Sequence, residues 1–310
     1  MTIQWYPGHM HKAQKEIKEA LPKVDLVIEV VDARIPYSST NPMVAKFLVE
    51  TDNKKPVIRV LNKSDLADEN ITQLWCKAFD ELHGTKSLPI SCKKPEQVKK
   101  ITQLCQKLFP DNKDKGKPIN AMIMGIPNVG KSTIINILSD RSIAKVGNEP
   151  AVTKRQQRID LDCGIILYDT PGFLWPKIEN LNSSYRLAIT GAIKDTVLDY
   201  DDIAYYAAEY LIQHYESLIK DNFQLDKVED DITLLLESIG RRRGCLQAKG
   251  RIDLDRVCKI FIHEFRNFSM GKISLETPSM IEKELIEVAE KIRLKEEKDA
   301  ARTSKKKRRR

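Results

Sequence analysis

The six cysteines of this 310-residue chain form no C-x-x-C pair and its five histidines are as widely dispersed. That spacing argues against a zinc ribbon, a disulfide framework or a metal site made of protein ligands alone. No apolar run reaches the roughly 18 residues that a membrane span requires. The opening Met1-Thr2-Ile3-Gln4-Trp5-Tyr6-Pro7 lacks the charged start and apolar centre of a signal peptide. A reduced, cytoplasmic setting without a membrane partner is therefore expected, with the chain a monomer when free. The hydrophobic fraction of 41% supports folded cores, and the length suits about two domains.

Acidic residues are missing from the end of the chain. From position 301 onward Arg302, Lys305, Lys306, Lys307, Arg308, Arg309 and Arg310 supply seven positive side chains and no acid; removing them from the net charge of +8 leaves +1. Such a run cannot bury a core and is expected to be disordered alone, while its charge density suits phosphate backbones through counterion release. A solvated, solubilising end is the alternative. Arg241-Arg242-Arg243 and the lysines between 291 and 298 are less decisive, because glutamates stud the latter stretch.

Short β-branched runs alternate with helical patterns through the first half. Leu26 to Val31, Pro56 to Leu61, Ser87 to Ser91, Ala121 to Met124 and Ile165 to Tyr168 read as strands; residues 42–49, 70–82 and 96–109 read as helices. That alternation predicts an α/β fold with a largely parallel sheet covered on both faces. Residues 111–117 are polar and read as a surface connection. After Gly172 the pattern changes to helices at 183–194, 199–220, 229–239 and 253–267, with no convincing strand. The expected organisation is a nucleotide domain over 1–178, a helical domain over 179–280, and a charged helix with a basic, partly disordered tail over 281–310.

Three nucleotide-site motifs occur, in inverted order. Asn62-Lys63-Ser64-Asp65 comes first, Gly125 to Ser132 second and Asp169-Thr170-Pro171-Gly172 last; a Ras-like domain places the phosphate loop ahead of the guanine-reading N-K-x-D, so the chain reads as circularly permuted. Gly125-x-x-x-x-Gly130-Lys131-Ser132 follows an apolar strand and opens a helical run, the context a P-loop needs. Backbone amides of Asn128, Val129, Gly130, Lys131, Ser132 and Thr133 would cradle phosphates, Lys131 would reach the β- and γ-phosphates, and the Ser132 hydroxyl would ligate Mg²⁺. Asp65 can accept from guanine N1–H and the exocyclic amino group, while Asn62 supports the loop and the Lys63 stem covers the ring. Adenine lacks that donor pattern and would leave the carboxylate unpaired. A backbone amide of Ser91-Cys92 is a candidate donor to guanine O6, with an ordinary strand end as the other reading. Asp169 would hold Mg²⁺ through water, the Gly172 amide would sense the γ-phosphate, and Thr153 is the candidate switch threonine on the metal, loop or cap duty being its alternative.

Phe173 stands where Ras-like enzymes place a water-orienting glutamine, and phenylalanine cannot do that work. His9, beside a Pro-Gly turn, titrates near neutrality. From the residues alone, a water-positioning group and a surface histidine both remain open.

The chain resembles the ribosome biogenesis GTPase A family, circularly permuted GTPases with a hydrophobic substitute for the catalytic glutamine. The resemblance lies in Trp5 to Met10, Val31-Asp32-Ala33-Arg34-Ile35-Pro36, Gly125 to Thr133, Asp169 to Pro176, Arg243-Gly244-Cys245-Leu246 and Gly271-Lys272-Ile273-Ser274-Leu275-Glu276. It implies a GTPase of late large-subunit maturation that contacts ribosomal RNA and turns GTP over faster on the particle. It further implies that His9 takes part in hydrolysis; Asn128 matches an asparagine that in related potassium-activated GTPases helps hold K⁺, loop shaping being its alternative. Ala151 departs from the family's usual glycine, which puts the switch geometry in question. An RNA-binding placeholder with a structural nucleotide, and a P-loop enzyme acting on a small molecule, are the competing readings.

The basic tail carries the first test. A chain ending near Lys295 should bind ribosomal RNA more weakly than the full chain at low salt, with the gap closing as salt rises; equal binding at low salt would reduce the tail to a solubilising end.

Overall fold

Strand-forming β-branched residues gather into one six-stranded sheet, with the flanking helices supplied by the amphipathic stretches between them. The structure, a computed structural model, describes residues 8–50, 55–114, 116–143 and 157–307. The strands are β1 Leu26–Asp32, β2 Val57–Asn62, β3 Thr85–Pro89, β4 Ile119–Met124, β5 Gln157–Asp160 and β6 Ile165–Asp169. Their order is β3-β2-β1-β4-β6-β5, parallel throughout except for the antiparallel edge strand β5. Every residue of β1 is buried, as a central strand covered on both faces demands.

Helices α1 His9–Ala20, α2 Pro42–Glu50, α3 Glu69–Asp80, α4 Pro95–Leu108, α5 Pro110–Asp114 and α6 Lys131–Leu138 belong to this half. The Asp68 carboxylate accepts the Asn70 and Ile71 amides and so starts α3 immediately after the N-K-x-D loop. Residues 111–117 begin inside the short helix α5 rather than as a plain connection, because Pro110 presets a helical first turn. Strand β5 gave no apolar signal: of its four residues only Ile159 is buried.

The second half consists of α7 Leu181–Ile189, α8 Tyr200–Phe223, α9 Ile232–Arg242, α10 Leu254–Arg266 and α11 Pro278–Lys307. Expected to run to 194, α7 stops sooner because Gly191 turns the backbone left-handed (φ 80°). Helices α8, α9 and α10 bury Ile203, Ala207, Leu211, Leu236, Ile239, Phe261 and Ile262 between them. Each large side chain so buried contributes roughly 1.5–3 kcal/mol. At Tyr215 (φ −141°, ψ 35°) α8 breaks, and the tyrosine hydroxyl meets both the amide and the carbonyl of Ser274 at 3.2 Å.

Ser274 belongs to a segment that joins the two halves. The Ile273 amide donates to the Leu66 carbonyl (3.0 Å) and the Leu275 amide to the Arg34 carbonyl (2.9 Å), while the Asp68 amide donates to Ser274 Oγ (3.1 Å). Next in line, the buried Glu276 carboxylate accepts the Ser38 amide (2.9 Å) and hydroxyl and faces Arg186 Nη1 at 3.4 Å. Arg186, itself buried on α7, also grips Glu284 of α11 through both terminal nitrogens (2.9 and 2.5 Å).

Removing one partner of such a buried network strands a charge, at a cost of about 3–5 kcal/mol. Arg186→Met should therefore shift the urea midpoint down with an unchanged slope; a midpoint within error of the parent would mean that the network carries no net stability.

Candidate functional site

The C-terminal edge of a parallel sheet is where strand ends and helix starts leave a crevice. Here the ends of β1, β2, β3, β4 and β6 bring together all three motifs. After β4 the chain turns through Gly125 to Gly130 and enters α6 at Lys131. Gly130 caps that helix with φ 96°, and a side chain there would strike the Asn62 amide. The same Asn62 Nδ2 donates to the Val129 carbonyl at 2.7 Å, tying the phosphate loop to the N-K-x-D loop. Lys131 Nζ lies 3.0 Å from the carbonyls of Gly125 and Ile126. Burial pushes its pKa down to about 8 against the pull of the Asp169 carboxylate. Ser132 and Thr133 occupy the first turn of α6, where helix amides and the macrodipole favour an anion. Asn128 adopts φ 61° and donates through Nδ2 to the Gly191 carbonyl at 2.7 Å, linking the loop to the turn after α7.

Asp169 ends β6 beside the loop. Both its carboxylate oxygens are buried and have no hydrogen-bond partner among the described residues, and burial raises its pKa to about 6 despite Lys131. An orphaned carboxylate next to the Ser132 turn fits a hard, oxygen-seeking cation such as Mg²⁺. The Thr170 hydroxyl donates to the Ile123 carbonyl at 2.9 Å and locks the Asp-Thr-Pro-Gly turn onto β4. Gly172 passes so near the loop that an added methyl would sit 3.0 Å from Lys131 Nζ and 3.1 Å from Pro127 Cα. Phe173 is fully buried in the main core, which agrees with its having no part in orienting water. Beside it, the Leu174 amide donates to Met10 Sδ at 3.4 Å, so the start of α1 is docked on the segment after Gly172. His9 is the first residue of α1, but its side chain lies outside the described residues, as do Thr153 and Ala151.

At the Asn62–Asp65 loop, Lys63 adopts φ 61° and its ammonium meets Asp32 Oδ2 at 2.9 Å. Asp32 also binds Arg34 Nε (2.9 Å) and Nη2 (2.8 Å). Burial alone would raise the Asp32 pKa, yet the Arg34 and Lys63 cations beside it hold it well below the usual carboxylate range. Asp65 pairs with Lys93 at 2.9 Å. In the Ser91-Cys92-Lys93 turn, the Ser91 amide donates to Gln97 Oε1 (2.9 Å) and the Lys93 amide to Ser91 Oγ (3.2 Å). The Cys92 thiol contacts Asn62 Oδ1 at 3.3 Å, and burial pushes that thiol up to about 11.

Sequence reasoning assigned no role to the side chains of Asp32, Arg34 or Lys93. Its available signal was an acid and a base set one residue apart where the apolar run of β1 ends, the edge at which parallel sheets bind ligands.

Residues 120–236 match the family model described as "50S ribosome-binding GTPase". The match starts in β4 and leaves unmatched the preceding half that carries Asn62 to Asp65. The chain is 44% identical over 293 residues to ribosome biogenesis GTPase A of Priestia megaterium, covering 92% of this chain and all of that one. Among solved structures, GDP-bound TM YlqF superimposes with a TM-score of 0.61 at 27% identity, over 85% of this chain and 99% of that one. GNP-bound YlqF from T. maritima gives 0.59 at 28%, over 86% and 98%.

Asp169 supplies a pH test. Its folded pKa of about 6 exceeds the ordinary 3.8, so ionisation opposes folding above pH 4, with the full cost reached above pH 6. Without Mg²⁺, Asp169→Asn should raise stability at pH 7 by about 2–3 kcal/mol and leave it little changed at pH 4, as followed by urea unfolding. Mg²⁺ with nucleotide should reverse the advantage at pH 7. A variant no more stable than the parent at pH 7 would contradict the strained carboxylate.

Proposed function

The chain belongs to the ribosome biogenesis GTPase A family, and we propose on that premise that it is a GTP-hydrolysing assembly factor of the large ribosomal subunit, docked on rRNA and released when GTP is hydrolysed. The observation that carries this reading is the Asn62 bond to Val129, which sets the guanine loop against the phosphate loop in one crevice. The guanine base would lie against Asn62, Lys63 and Asp65. Since the Ser91 amide is engaged by Gln97 of α4 and the Lys93 amide by Ser91 Oγ, Cys92 is the amide to face guanine O6.

For the phosphates, amides from Asn128 to Thr133 form the cradle, and Lys131 exchanges the Gly125 and Ile126 carbonyls for β- and γ-phosphate oxygens. Ser132, Thr153 and Asp169, the last through water, would hold the Mg²⁺ that GTPases of this kind use. When bound, that ion neutralises charge developing on the phosphate oxygens. Asn128 would offer its amide oxygen to K⁺, its nitrogen being held by Gly191. The Gly172 amide would sense the γ-phosphate. With Phe173 buried, positioning of water falls to His9, carried on the helix that Met10 pins to the Leu174 amide. Helices α7 to α10 are the part assigned to rRNA, continuous in chain with the segment after Gly172.

GTP hydrolysis measured with and without isolated large subunits, in sodium and in potassium, tests this reading. Turnover should rise with subunits and rise again in potassium, and His9→Ala and Lys131→Ala should abolish it. Turnover indifferent to subunits would contradict the assembly role; function retained by a His9→Ala chain that still binds nucleotide would favour a placeholder.

A further inference from the structure

Helix α10 and the turn after it set two aromatic rings against cations of the sheet domain. The Arg34 guanidinium lies 5.2 Å from the Phe265 ring centre and the Lys93 ammonium 5.5 Å from that of Phe268. Each cation is bonded in turn to a carboxylate: Arg34 to Asp32 by two hydrogen bonds, Lys93 to Asp65 at 2.9 Å. Asp32 then holds the Lys63 ammonium. Two chains of ring, cation and carboxylate thus start on the helical domain and end on the two charged residues of Asn62-Lys63-Ser64-Asp65. Backbone pairs run alongside them, Leu275 to Arg34 and Ile273 to Leu66.

The arrangement has the marks of a built device. Phe268 sits at φ 68°, a left-handed conformation that costs a bulky side chain roughly 1–2 kcal/mol and persists only where its surroundings enforce it. Asp32 accepts four hydrogen bonds, three from Arg34 and one from Lys63, and is nearly inaccessible to water. It is therefore committed to orienting Lys63, and Arg34 is committed to orienting Asp32.

We infer that Phe265, Phe268, Arg34 and Asp32 are positioning residues for base recognition: the helical domain fixes Lys63 and Asp65, so its seat on the sheet domain sets how strongly guanine is preferred over other bases. The inference rests on the reading of Asn62 to Asp65 as the guanine site. Because coupling between binding events is reciprocal, a partner that shifts α10 changes base affinity, and base binding stiffens the seat of α10.

Fluorescent GDP and ADP analogues, identical in their phosphates, separate base positioning from general damage. They would be titrated into the full-length parent, Arg34→Ala, Phe265→Leu and Phe268→Gly, with thermal unfolding followed in parallel. Parental preference for GDP is the control; its absence would remove the underlying reading and this inference with it. Given that preference, the GDP-to-ADP affinity ratio should fall about tenfold in Arg34→Ala and about threefold in each phenylalanine variant, mostly through weaker GDP binding. Phe268→Gly relieves the left-handed strain, so it remains a usable folded variant if Arg34→Ala is not. Equal losses for both nucleotides, or an unchanged ratio in the folded variants, would overturn the inference while leaving the guanine site standing.

Discussion

One hydrogen bond joins the two parts of the nucleotide crevice. Asn62 Nδ2 meets the Val129 carbonyl across 67 positions of sequence, and the absence of a side chain at Gly130 is what lets the amide come so close. On one side of it lie the residues proposed to read a base, on the other those proposed to cradle phosphates. Both residues are buried, so the bond holds the Asn62–Asp65 loop at a set distance from the Gly125–Ser132 loop. Asp169 and Lys131 show the opposite economy. Each is a buried charge whose preferred state is displaced by desolvation, Asp169 upward and Lys131 downward. A site left with displaced charges of both signs is stabilised by a ligand that brings phosphate and metal together.

Much of the parallel sheet could be read in advance, because β1, β2, β4 and β6 are short β-branched runs with helices or turns between them. Where the signal failed, the reason is visible. Strand β5 is a polar edge with one buried residue, so no apolar alternation marks it. Strand β3 lies two residues earlier than its sequence suggested, since pairing Leu61 with Pro89 in the β2 register outweighs the weak apolar pattern. The three motifs declared themselves through glycine, lysine and aspartate at fixed spacing. Asp32, Arg34 and Lys93 did not, because beyond the Asp32–Arg34 pair their partners, Lys63, Asp65, Phe265 and Phe268, are far away in sequence, and such partners carry no local period.

The two domains are joined by polar contacts as well as packing. Glu276, without access to water, takes hydrogen bonds from Ser38 and faces Arg186. Arg186 reaches on to Glu284, so the loop after β1, helix α7, the Gly271–Glu276 segment and α11 share one charge network. Greasy surfaces slide; hydrogen-bonded charges in a dry interior have one geometry or a penalty. That property would suit the positional coupling inferred above. It also gives the broken helix α8 a reason, since Tyr215 leaves helical geometry at the place where its hydroxyl meets Ser274.

The inverted motif order also sets a schedule. During synthesis β1, β2 and β3 emerge with the base-reading loop before β4 and the phosphate loop exist, and domains fold as their pieces appear. At that stage the Asn62 amide has no Val129 carbonyl to meet, and Asp32 has Arg34 and Lys63 but no helical body above them. Phosphate capture must wait for α6 and β6, and the aromatic seats on Arg34 and Lys93 wait for α10. On the proposed assignment, a growing chain lacks part of its phosphate subsite until β6 has been made, and lacks the aromatic seats on Arg34 and Lys93 until α10 has.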